Sequence, residues 1–341
     1  MSFWYVETDD GLSWAYDGLD SIARNLGTEA MTPEDILKHD PIVLTQEQRE
    51  LFFEQGFLAV EGLVSDEWLD CLRRRSDEMT ERSRQFAESN KEYDLSPDHT
   101  ADNPYVRRLR APIDRHPDFW EFAHNSAFTD VAADLVGPDV KFHSCKLNYK
   151  HSGGGEVVKW HQDIPAWPHT NFSPVTLGIY FHDVDEAEGP LACIPGSHKG
   201  ELYSHFHQDR TWSGYLSKDD LMKAKPENAV NLTGKAGTII AINCRTIHGS
   251  MDNKTDRVRP LLLYVYSSAD AFTWVPNPTP CSRSGEIVRG KAARHVHMEP
   301  YAHEVPPNWD KEGYGSIFAS QRKETLAKAS CSSCFYSCIW T

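Results

Sequence analysis

The feature that most limits how this chain can fold is a change of texture near residue 140. From there on, short runs rich in β-branched and aromatic residues alternate with turns, at 141–149, 157–162, 175–184, 189–194, 229–232, 238–243 and 260–267. Strands of this length and spacing build an antiparallel sandwich or barrel. The region before 140 reads differently. Thr45 and Gln48 form a capping box for a helix that runs to Gln55 and stops at Gly56, and a short strand follows at 57–60. Ser65 opens a second helix to about Glu88, with acids in its first turn where the helix dipole favours them. Residues 89–105 read as a polar loop, and 118–136 as a third helix closed by Gly137-Pro138. The expected class is therefore mainly β with flanking helices.

Composition narrows the partners. The net charge of −15 disfavours nucleic acid and anionic membranes, both of which need a basic surface. It leaves a small molecule as the expected partner. No run is apolar enough to cross a membrane, and the N-terminus lacks a signal-peptide pattern. A cytoplasmic location with reduced thiols is the expectation. Cys331, Cys334 and Cys338 lie in a serine-rich tail, 330–341, expected to be disordered. The Gly-rich stretch at 151–155 precedes a strand, so it reads as a turn and not as a phosphate loop. The sequence carries no signal of oligomeric state.

The chemistry concentrates in Trp160-His161-Gln162-Asp163 and in a distant His248. Residues two apart on a strand share a face, so His161 and Asp163 reach one ion together. Two imidazoles and one carboxylate are the facial donor set of non-heme Fe(II) oxygenases, which leaves positions open for a cosubstrate and O₂. Arg259 follows eleven residues after His248. Residues 251–256 read as a polar hairpin turn that returns Arg259 beside His248, where its guanidinium can grip a carboxylate with two hydrogen bonds. Arg257 is the local rival, and Ser250 shares the face of His248. His198, in Pro195-Gly-Ser-His198, reads as a structural turn residue.

The ordered set Leu44–Gln48, Gln55-Gly-Phe, Leu147-Asn-Tyr-Lys150, Trp160-His-Gln-Asp163, Glu188-Gly-Pro, Pro195-Gly-Ser-His, His248-Gly-Ser250 and Arg259 resembles the phytanoyl-CoA dioxygenase family, from about 44 to about 269. The resemblance implies a double-stranded β-helix, a cupin-like jelly roll. It further implies Fe(II) on His161, Asp163 and His248, with 2-oxoglutarate and O₂ as cosubstrates. It places 2-oxoglutarate against Arg259 and Ser250, near one of Lys146 and Asn148, with Tyr180 close by and Arg110 reaching in from outside the barrel. Gln162, His182 and Trp274 are expected to touch substrate. Asp163 argues against halogenation, since related halogenases carry a small residue there. The implied activity is oxidation, most simply hydroxylation, of a C–H bond in a small organic metabolite, with release of succinate and CO₂. A metal-binding barrel without 2-oxoglutarate, catalytic or not, is the alternative. The expected organisation is an N-terminal extension on the pocket rim at 1–43, one oxygenase domain at 44–270, and a C-terminal cover at 271–329.

Overall fold

The computed structural model describes residues 31–152, 157–314 and 318. The cysteine tail, most of the glycine turn and the first thirty residues lie outside these. Helices come first: α1 (Pro33–Lys38), α2 (Gln46–Gln55), then strand β1 (Phe57–Val60) and α3 (Asp66–Ser83). The Thr45–Gln48 capping box is present, and α2 ends at Gly56, whose φ of 89° needs a residue without a side chain. Helix α3 starts at the Ser65 cap but stops about a turn before Glu88. The segment read as a loop carries β2 (Tyr93–Leu95), and the arginine run after it is β3 (Val106–Arg110). The expected third helix is two, α4 (Pro117–His124) and α5 (Ala127–Val136). Ser126 breaks them apart, because its hydroxyl caps Phe128 N at 3.2 Å.

The β region follows as β4 (Val140–Lys150), β5 (Val158–His161), β6 (Val175–Tyr180), β7 (Leu191–Cys193), the short helix α6 (Lys218–Ala224), β8 (Val230–Leu232), β9 (Ile239–Asn243), β10 (His248–Ser250), β11 (Arg259–Ser268), β12 (Ile287–Arg289) and helix α7 (Trp309–Glu312). They form two antiparallel sheets. The larger runs β1-β9-β6-β11-β4-β3-β2, with β12 also on β4; the smaller runs β5-β10-β7-β8. Together they make the jelly roll.

Helices α3, α4 and α5 cover the outer face of the large sheet, where Phe119, Phe122 and Phe128 meet Phe142, Leu147, Tyr264 and Tyr266. Leu191, Cys193 and Leu232 of the small sheet meet Tyr180, Ile240, Leu261 and Leu263 of the large one across the interior. Strand β6 is buried along its whole length because both of its faces are covered.

One expectation changes here. Strands β10 and β11 lie in different sheets, so 251–258 is an arch between sheets and not a hairpin turn. The described part of the N-terminal extension packs on α5, where the Asp134 carboxylate accepts from the N–H groups of Ile42, Val43 and Leu44 at 2.7, 2.9 and 2.9 Å.

Candidate active site

The site is assembled at the seam between the sheets. Strands β5 and β10 are antiparallel neighbours, and their register sets His161 directly opposite His248. Asp163 lies just past the end of β5, where its N–H and that of Ile164 donate to Cys244 O at 3.1 and 3.0 Å. That pinned turn brings Asp163 Oδ1 to 3.8 Å from His161 Nε2 and 4.0 Å from His248 Nε2. One donor atom from each of the three lies within 4.8 Å of the others, an arrangement that can hold a metal ion.

The groups behind these atoms orient them for that task. His161 Nδ1 bonds Lys159 O at 2.8 Å, and His248 Nδ1 bonds Thr246 O at 2.9 Å. Each bond fixes the proton on Nδ1 and leaves the Nε2 lone pair facing the centre. Thr176 Oγ1 donates to Asp163 Oδ2 at 2.9 Å and leaves Oδ1 free to face inward. Burial presses Asp163 towards the neutral acid, but the neighbouring His248, Lys146 and His161 side chains and the Thr176 bond outweigh it and hold the carboxyl below its ordinary range. Burial, helped by His248, pushes His161 well below the usual imidazole value. An anionic carboxylate and a neutral imidazole are the protonation states that metal binding demands.

Two small chambers open off this centre and share Arg108, Lys146 and His161. The first, of about 60 Å³, is walled by Asn148, Lys150, His248, Ser250, Arg259 and Phe318. The second, of about 40 Å³, is walled by Ser144, Asp163, Trp167, His205, Trp212 and Tyr314. A larger outer groove of about 830 Å³ passes over Phe172, Arg245 and His295 and touches none of the three ligand residues.

Arg259 is buried in the wall of the first chamber. Its Nε and Nη1 have no hydrogen-bond partner among the described residues. Burial lowers its pKa, and its guanidinium lies 5.6 Å from the centre of the Tyr180 ring. An unpaired buried guanidinium is costly, so the wall is built for an anion. Lys150 Nζ donates to Ser250 Oγ at 2.6 Å and brings a second cation to the same wall. Arg257, the rival, faces outward and is held by Glu188, with Nε donating at 2.9 Å.

The other expected residues divide. Lys146 and Asn148 both face the first chamber, since residues two apart on β4 share a face. Tyr180 stands behind Arg259; its hydroxyl donates to Leu232 O and accepts from Leu191 N, each at 3.0 Å. Arg110 lines neither chamber, because β3 ends there and the chain turns away at Ala111. Arg108, two residues earlier on the same strand, lines both chambers instead. Gln162 reaches the second chamber, but its amide is spent on Glu201 O, Arg245 O and Tyr203 N. His182 lies past the end of β6, beside Arg73 and Arg257, outside both chambers. Trp274 is exposed and stacks edge-on with His303.

Sequence reasoning missed Arg108, Lys150, Thr176 and Tyr314. Lys150 had a signal, as the next same-face residue after Lys146 and Asn148. Tyr314 had none, because only the tertiary fold brings it in.

A jelly roll whose sheets meet at two imidazoles and a carboxylate, with a buried arginine facing the same interior, is the architecture of the 2-oxoglutarate-dependent non-heme iron oxygenases. Residues 52–261 match the family described as phytanoyl-CoA dioxygenase (PhyH), and the chain belongs to that family. It is 28% identical over 290 residues to a probable alpha-ketoglutarate-dependent hypophosphite dioxygenase of Stutzerimonas stutzeri, which covers 83% of this chain and 99% of that one. It is 26% identical over 261 residues to an ectoine dioxygenase of Bordetella parapertussis, covering 69% and 82%. Among solved structures, EctD from S. alaskensis with bound Fe aligns with a TM-score of 0.60 at 21% identity, covering 79% of this chain and 93% of that one. The carbocyclase SnoK from nogalamycin biosynthesis aligns at 0.55 and 20% identity, covering 74% and 98%. Both alignments speak to the fold. No helix among the described residues is long and apolar enough to cross a membrane.

Proposed function

We propose that this protein oxidises a C–H bond of a small organic metabolite, most simply by hydroxylation, with turnover of 2-oxoglutarate to succinate and CO₂. His161, Asp163 and His248 hold Fe(II), which when bound supplies the chemistry that activates O₂. Arg259 grips the distal carboxylate of 2-oxoglutarate, with Ser250 and Lys150 beside it. Lys146, on the wall shared by the chambers, brings positive charge towards the keto-acid end. Asp163, held anionic by Thr176 and its neighbours, offsets part of the metal charge and fixes which face stays open.

The observation that carries this reading is the pair of buried Arg259 nitrogens without a partner among the described residues, in a chamber lined by His161 and His248. A barrel that bound metal without 2-oxoglutarate would have no use for them. The names of the relatives, ectoine and hypophosphite dioxygenase, support a compact polar substrate. The test is succinate release with Fe(II), 2-oxoglutarate and ascorbate, scored against a metabolite panel. Substrate-dependent succinate release together with an oxygenated product is the expected result. Stoichiometric iron binding without any binding of 2-oxoglutarate would defeat the reading.

A further inference from the structure

We propose that the second chamber selects a compact anion, a carboxylate, phosphonate or phosphinate, and holds its oxygens against Arg108 and Lys146. This deepens the reading above and rests on it. The argument starts from charge. The two chambers are lined by four cations, Arg108, Lys146, Lys150 and Arg259, and by one carboxylate, Asp163. Their sum is +3. Fe(II) adds two positive charges and 2-oxoglutarate two negative ones, so the loaded site stays at +3. If burial strips Lys146 of its proton, +2 remains. Buried charge of one sign is costly unless something compensates it. The remaining compensation has to arrive with the substrate.

Position assigns that role to Arg108. The distal carboxylate of the cosubstrate has Arg259 in the first chamber, while Arg108 stands on the wall that both chambers share. Arg108 is buried and fixed in orientation. Its Nε donates to Asn148 Oδ1 at 2.8 Å, Tyr314 hydrogen-bonds it, and the Phe318 ring lies 5.5 Å away. Lys146 has no hydrogen-bond or ion-pair partner among the described residues and lines the second chamber with Arg108 and Asp163. Several polar groups of the remaining wall are already engaged, Ser144 Oγ with His143 Nδ1 at 2.9 Å among them. Gln162 is spent on backbone groups, and His205 Nε2 already accepts from Gln162 N at 2.9 Å. Trp167 and Trp212 close the sides. A volume of about 40 Å³ fits a small headgroup and not a bulky chain. A cationic substrate would find only Asp163, which is already committed to the metal centre.

The experiment is calorimetric titration of the Fe(II) protein, saturated with 2-oxoglutarate and free of O₂. The probes are propionate, methylphosphonate and hypophosphite, against neutral propionamide and cationic propylammonium. At least one anion is expected to bind more tightly than both controls. Arg108→Met should weaken that anion by about tenfold or more and leave 2-oxoglutarate affinity within about twofold. Arg108→Gln, which removes the charge but keeps a donor for Asn148, serves as the second variant if Arg108→Met does not fold. Which of the three anions binds best separates carboxylate from phosphorus oxoanions. The proposal is overturned if no anion binds, if propionamide or propylammonium binds best, or if Arg108→Met weakens 2-oxoglutarate instead of the anion. If 2-oxoglutarate itself does not bind the native protein, both this proposal and the reading beneath it fall.

Discussion

The two sheets divide the labour of this protein unequally. The large sheet has long strands, an aromatic outer face under three helices, and the cationic side chains Arg108, Lys146, Lys150 and Arg259 on its inner face. The small sheet has strands of three or four residues, yet it carries both histidine ligands, one on β5 and one on β10. Stability resides in the first and coordination in the second. The lesson is that a metal centre needs few residues if their register is fixed. The directly opposed pair His161 and His248, with Asp163 pinned beside them, meets that need. The large sheet then acts as a rigid platform from which anion-binding groups face the centre.

This contrast can be broken or sharpened by substitution. The largest effect belongs to Asp163→Ala, which removes the only anionic ligand. Iron binding and coupled turnover should fall to background; an active, iron-loaded variant would refute the ligand assignment. Next, Phe142→Ala in the platform should cost about 3–5 kcal/mol of folding stability, because Phe142 is fully buried among Trp120, Tyr264 and Tyr266. Denaturant unfolding measures it, and the fraction that stays folded should bind iron normally. A loss of iron with no loss of stability would erase the division of labour.

Arg259→Ala should raise the KM for 2-oxoglutarate by about 30-fold or more, since a carboxylate left unpaired in a buried site costs about 2–5 kcal/mol. Arg257→Ala, which only frees Glu188, should barely move it; a reversed order would mean the wrong arginine has been assigned. The smallest effect is expected from Thr176→Val. Loss of the hydroxyl that steadies Asp163 Oδ2 should weaken iron affinity by about tenfold, read by competition with a chelator. No change would mean that the hydrogen bond does not orient the ligand.

The same contrast decides what was legible beforehand. Strands β6 and β11 announce themselves because their apolar residues outnumber everything else, and both faces are covered. Strand β10 is only His248-Gly249-Ser250, with no strand propensity to detect, and it exists because β5 and β7 flank it. In the run Arg107-Arg108-Leu109-Arg110 only Arg110 was expected to reach the site. The run is a buried strand, because Arg107 pairs with Asp94 at 2.7 Å and Arg108 with Asn148. Its charge hid the strand, since Asp94, which neutralises Arg107, comes from another strand, and Arg108 meets the neutral amide of Asn148. His182 was placed in the interior by extending alternation past Tyr180, where the strand has already ended. His161, Asp163 and His248 do come together as expected, because two of them share one strand end and the third lies opposite in register.

The arch 251–258 gives this geometry a further meaning. Asn253 ties it down by donating to Lys150 O at 3.0 Å, and Arg257 fastens its far end to Glu188. His248 at one foot and Arg259 at the other are thus kept at a set span, like the jaws of a calliper. On the proposed reading, a 2-oxo diacid must engage the metal with one end and the guanidinium with the other. A homologue one methylene longer or shorter would meet one jaw and miss the second, so the arch is the part of the chain that measures the cosubstrate.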